Sequence, residues 1–128
     1  MRKSSHELKV GYIHGVEKEE VSEIQTSFYD LALHPDIEDG LEAMGFNTPT
    51  PIQAEAIPHI LEKKDMLGIA QTGTGKTAAF LLPTMDRILD TPDNGKVKAL
   101  IVVPTRELAM QIDQAAEGFG YYTCVSSF

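Results

Sequence analysis

Cysteine is nearly absent from this chain. Cys124 is the single one in 128 residues, so no internal disulfide can form, and a reducing compartment suits the chain. Basic residues are also scarce: 11 Lys and Arg stand against 19 Asp and Glu, a net charge of −8. That balance is not the footprint of a protein that grips nucleic acid over an extended basic face. Any nucleic acid must be held at a local site. Long apolar runs are missing too. Ala99-Leu100-Ile101-Val102-Val103 is among the longest, whereas a membrane span takes about 20 residues. Arg2 and Lys3 lead into Ser, His and Glu, which is not a secretory leader. There is no internal repeat and no low-complexity segment. At 42% hydrophobic and 23% charged residues, the expectation is one small, soluble, cytoplasmic domain with no membrane partner.

What the chain does have is a glycine loop with chemistry in it. Met66-Leu67-Gly68-Ile69 reads as a buried strand, and Ala78-Ala79-Phe80-Leu81-Leu82 as the start of a helix. Between them lies Ala70-Gln71-Thr72-Gly73-Thr74-Gly75-Lys76-Thr77. Strand, glycine loop, Lys-Thr and helix form the arrangement of a phosphate-binding loop, although the general pattern has Gly where Ala70 stands. Gly73 and Gly75 let successive N–H groups turn towards one anion, and the helix start adds unpaired N–H groups and a positive dipole end. Lys76 supplies a mobile charge for the β- and γ-phosphates, and the Thr77 hydroxyl can ligate Mg²⁺.

The flanks fill in an α/β order. Residues 1–26 carry only weak patterns: a short strand around Val10, Tyr12 and Ile13, and an acidic helix from Val16 to Ile24. They read as a poorly ordered leader. Pro35 then opens a helix with Ile37, Leu41 and Met44 on one face, and Gly45 stops it. Thr50, Pro51 and Gln53 read as a capping box with a proline start. The helix that follows carries Ala56, Ile57, Ile60 and Leu61, with Pro58 bending it. Beyond the loop, apolar helical spacing runs to Leu89 through Pro83, where a kink is expected. Residues 98–103 suit a buried parallel strand. Thr105 caps a further helix with Leu108, Ile112, Ala115 and Phe119 in step. Tyr121, Tyr122, Cys124 and Val125 begin another strand. The fold class is therefore α/β, a parallel sheet flanked by helices, and it is visibly unfinished.

Two residues admit two readings each. Gln53 is a backbone cap, or an amide placed to read an adenine, since one amide both donates and accepts. Arg106 lies in a first helical turn, where the dipole disfavours a cation. It is an ordinary exposed arginine or a partner for Glu107, or else a phosphate contact at a helix N-terminus.

Three motifs in order resemble the N-terminal part of a DEAD-box RNA helicase. Gly45-Phe46 with Pro49-Thr50-Pro51-Ile52-Gln53 is similar to that family's Q motif. Phe28 stands seventeen positions before Gly45, where the family has an isolated aromatic. The glycine loop from Ala70 to Thr77 is similar to motif I, in which a first-position Ala is usual. Pro104-Thr105-Arg106-Glu107-Leu108-Ala109 is similar to motif Ia. The resemblance covers about residues 27–128 and implies an incomplete RecA-like P-loop NTPase domain. It implies that Phe28 stacks on the adenine of ATP and that Gln53 reads its edge. It implies that the loop from Thr72, Gly73, Thr74 and Gly75 to Lys76 and Thr77 holds the phosphates and Mg²⁺. It implies that Pro104, Thr105 and Arg106 touch an RNA backbone without reading sequence.

The departures from that family shape the remaining expectations. The chain contains no Asp-Glu-Ala-Asp and no Ser-Ala-Thr, and the second RecA-like domain is missing, so no catalytic residue is assigned within it. This chain alone is expected neither to hydrolyse ATP nor to unwind RNA. The strand before the glycine loop is expected to lack its sheet neighbours, which in related folds come later. The alternative to a helicase segment is a non-catalytic nucleotide-binding module or an inactive fragment.

Overall fold

The computed structural model describes residues 27–128. The strand and helix expected within residues 1–26 lie outside them. The chain starts with a 3-10 turn, Phe28–Leu31, capped by Ser27, whose N–H donates to Asp30 while its hydroxyl accepts from Tyr29. Helix α1, Pro35–Ala43, begins at the proline, as its fixed φ favours. His34 caps it through Nδ1, which accepts from the Asp36 N–H at 3.2 Å. Its end is a Schellman turn: Gly45 takes φ 77°, its N–H donates to Glu42, and the Phe46 N–H donates to Leu41.

Helix α2, Pro51–Leu61, carries Pro58 inside it, and α3, Lys76–Leu89, continues through the fully buried Pro83. The apolar spacing on both sides of Pro83 thus outweighs one missing backbone donor. Helix α4, Arg106–Phe119, is capped by the Thr105 hydroxyl, which accepts from the Leu108 N–H at 3.2 Å.

The expected parallel sheet is not present among the described residues. Residues 66–69, 98–103 and 121–125 contain no strand among the described residues. The reason is a lack of partners. A strand exists through its ladder, with a neighbour about 4.8 Å away. The backbones of residues 65–74 and 92–104 make no hydrogen bond to other backbone among the described residues. Met66 and Ala70 still lie against Ile52, Ala56 and Ala79 of α2 and α3, and Val103 rests on the main core. Leu67, Ile69, Leu100 and Val102 remain exposed.

The helices supply the core instead. Phe28, Leu31 and Leu33 join Ile37 and Leu41 of α1, Ile57 of α2, Leu81, Leu82 and Met85 of α3, and Ile112 and Phe119 of α4. The most extensive packing is α2 on α3. Helix α1 meets the end of α4 at Gly40, where a Cβ would stand 2.4 Å from the Phe119 carbonyl oxygen. Phe46 closes this joint edge-on to Phe119, with ring centroids 5.6 Å apart. No described helix is long and apolar enough to cross a membrane.

Candidate functional site

The glycine loop enters α3 through two left-handed residues, Gly73 at φ 81° and Gly75 at φ 88°. The two glycines are required for different reasons. A Cβ on Gly73 would meet nothing within 4 Å, so only its backbone angle excludes other residues. A Cβ on Gly75 would stand 2.4 Å from Gln53 Nε2 and 3.1 Å from Thr50 Oγ1. Gly75 is the N-cap of α3 and its carbonyl accepts from the Ala79 N–H. The N–H groups of Lys76, Thr77 and Ala78 come before that first helical bond, and they form the unpaired helix start that suits an anion. Thr74 steadies the turn by donating to the Gln71 carbonyl at 2.8 Å. The Lys76 ammonium folds back and donates to the Ala70 carbonyl.

Gln53 is joined to this loop. It is 2% exposed. Its Oε1 accepts from the Thr50 N–H at 2.9 Å, the capping arm anticipated from spacing. Its Nε2 donates to the Gly75 carbonyl at 3.1 Å. The reciprocal arm is incomplete. Thr50 Oγ1 faces the Gln53 N–H in the capping box and is buried with no hydrogen-bond partner among the described residues. Among the described residues one lone pair on Oε1 and one N–H on Nε2 have no further partner, the acceptor–donor pair that an adenine edge requires.

Phe28 is 3% exposed and packs in the main core, with its 3-10 turn lying on α2. The two residues assigned to a base are therefore closed off. Thr72, Gly73 and Lys76 on the phosphate side are exposed, and Thr74, Gly75 and Thr77 are half-buried. Pro104, Thr105 and Arg106 are all exposed at the start of α4. Thr105 uses an oxygen lone pair for its cap, which leaves its hydroxyl proton free to donate. Among the described residues Arg106 has no ion-pair partner; the only such contacts are His34 with Asp36 and Lys64 with Glu62.

Apolar spacing alone does not single out Asp86. It lies on α3, is buried, and its Oδ1 accepts from the His34 N–H at 2.6 Å. Burial pushes its carboxyl above the usual aspartate value, and the His34 bond partly offsets this. The available signal was its position four residues after Leu82, on the apolar stripe of α3. The Gln53–Gly75 bond left no such signal, since nothing in a sequence pairs a side chain with a distant carbonyl.

Comparison with known proteins identifies the family. Residues 50–127 match the DEAD/DEAH box helicase family. The chain is 46% identical over 104 residues to an ATP-dependent rRNA helicase, rrp-3, of Neurospora crassa, covering 81% of this chain and 20% of that protein. It is 46% identical over 99 residues to the ATP-dependent RNA helicase DeaD of Escherichia coli, covering 77% of this chain and 15% of that one. The chain thus spans about a fifth or less of these relatives' length. Among solved structures it is similar to the RNA helicase Prp28 of Chaetomium thermophilum bound to ADP, at 41% identity and a TM-score of 0.70, covering 76% of this chain and 24% of that one. It is also similar to Dbp5 of S. cerevisiae bound to RNA and ADP BeF3, at 36% identity and a TM-score of 0.70, covering 76% and 25%. A family match across more than half of the residues, beside relatives nearly half identical over the shared length, settles membership: the chain belongs to the DEAD/DEAH box helicase family.

Proposed function

We propose that residues 27–128 are the ATP-binding portion of an ATP-dependent RNA helicase, within a RecA-like domain. The observation that carries this reading is the Gln53–Gly75 bond, which ties the capped start of α2 to the glycine loop at 3.1 Å. A base-reading amide and a phosphate cradle joined in this way suit one nucleotide lying across both. The loop N–H groups of Gly73, Thr74 and Gly75, with Thr72 at its entry, and the helix-start N–H groups with Lys76 neutralise the phosphates. To do so Lys76 exchanges the Ala70 carbonyl for phosphate oxygen. Phe28 and Gln53 supply the adenine side. Mg²⁺ fits here as a companion of the phosphates, because the Thr77 hydroxyl lies in the first turn of α3 beside the glycine loop. Thr77 would add its hydroxyl to phosphate and water oxygens, and the ion would offset charge on the triphosphate.

Pro104, Thr105 and Arg106 present a helix start, a hydroxyl donor and a guanidinium to an RNA backbone, without base readout. In a full-length helicase of this family the three apolar runs would serve as sheet strands, taking neighbours that the described residues do not supply. Hydrolysis and unwinding would need the Asp-Glu-Ala-Asp and Ser-Ala-Thr motifs in addition to these residues. A second reading, a module that binds nucleotide without turnover, rests on these residues having neither motif.

Calorimetry with Mg-ATP and Mg-GTP tests the nucleotide reading. The chain is expected to bind ATP more tightly than GTP, Gln53→Ala to narrow that preference, and Lys76→Ala to weaken both. Equal affinity for ATP and GTP before any substitution would sink the adenine assignment.

A further inference from the structure

We infer that Asp86 is a positioning residue for nucleotide binding, acting on the base side of the site from the helix that carries the phosphate loop. The inference rests on the nucleotide reading above. Asp86 lies three turns along α3 from Lys76, too far down the helix to share in phosphate contact. The one hydrogen bond of its side chain among the described residues reaches across 52 positions to the backbone N–H of His34. His34 sits between the 3-10 turn that holds Phe28 and the first residue of α1. The bond therefore pins the Phe28 segment to α3 at a fixed point of its backbone.

The base side depends on this link for a structural reason. The Phe28 turn rests on α2, and α2 is fixed to the loop through Gln53. Apolar packing alone allows small slides. A buried carboxylate accepting a backbone N–H at 2.6 Å does not, because charge-assisted bonds are short and directional. Leaving an acid in the core with a single backbone partner is costly. A residue chosen for packing alone would have been apolar at this place on the α3 stripe.

The test uses the whole chain and two ligands, Mg-ADP and Mg-tripolyphosphate, the second lacking a base. Affinities are measured by calorimetry, with a thermal melt as a folding control. Asp86→Ala is expected to weaken Mg-ADP about tenfold, a typical loss for one charge-assisted bond. It should leave Mg-tripolyphosphate unchanged. Asp86→Asn, which keeps the acceptor oxygen, should restore most of the ADP affinity. His34→Pro removes the donor from the other side. Its backbone φ of −58° already suits proline, and because the change also removes the Nδ1 cap on Asp36, the loss in His34→Pro beyond that in His34→Ala reads the same bond if Asp86→Ala fails to fold. With His34→Ala as the reference for the lost side chain, the ADP losses of Asp86→Ala and His34→Pro should not add, since both changes remove the one shared bond.

Equal weakening of both ligands, or an Asp86→Asn variant as poor as Asp86→Ala, overturns the positioning role and leaves the nucleotide reading intact. A wild-type chain that binds neither ligand overturns the nucleotide reading, and this inference falls with it.

Discussion

At the scale of single residues, the two loop glycines make a controlled pair. Gly73→Ala meets only the cost of a left-handed backbone, about 1 kcal/mol. Gly75→Ala meets that cost and also strikes the buried Gln53 amide. It should lose about 3 kcal/mol in urea unfolding, through strain and a broken buried bond. Similar losses for the two variants would contradict the close Gln53 approach. Asp86 gives a pH signature. Burial raises its carboxyl above the ordinary value of 3.8, so the folded chain holds that proton more tightly than the unfolded chain does. The resulting stability is fully present below the ordinary value and is lost as pH rises through the raised one. The melting temperature of the wild type should therefore fall relative to Asp86→Asn as pH rises above about 4. A parallel pair of curves would show that Asp86 ionises freely. The loop, the Gln53 cap and the Thr105 cap were legible in sequence, because each is a local pattern fixed by a few adjacent residues. The Gln53–Gly75 and His34–Asp86 bonds were not, because each joins groups far apart in the chain.

At the scale of elements, the helices were legible and the strands were only half so. Pro35, Pro51, Thr105 and Gly45 punctuate the chain where helices start or stop, and helical bonds are satisfied within the segment itself. Residues 66–69 and 98–103 have the composition of strands, but a strand takes its hydrogen bonds from a neighbour that composition does not name. The joint between α1 and α4 was likewise invisible. Gly40 reads as one more residue on an acidic helix, yet its missing side chain lets the Phe119 carbonyl approach. Gly40→Ala should push α4 away and lower the melting temperature by several degrees, as overpacking of about 1–3 kcal/mol does in a small domain. A crystal structure of that variant with an unmoved α4 would refute the contact.

At the scale of the whole molecule, the described helices cover the apolar runs only at Met66, Ala70, Val103 and Val125 and leave most of the rest to solvent. Leu100 is 82% exposed and Val102 84% exposed, on backbone without ladder partners. Such edges pair readily with other edges. Sedimentation velocity should show self-association of the chain that grows with concentration and is suppressed in a Leu100→Lys, Val102→Lys variant. A strictly monomeric wild type at high concentration would contradict this. The uneven exposure of the candidate site has its own outcome, one in time. The glycine loop faces solvent, while Phe28 and Gln53 are shut in. A nucleotide arriving from solution meets the loop first, tail before base. Rapid mixing with ATP should therefore give two phases: a fast one whose rate climbs in proportion to nucleotide, and a slower one that levels off at the rate at which the closed side yields. Tripolyphosphate, with no base to seat, should produce the fast phase alone.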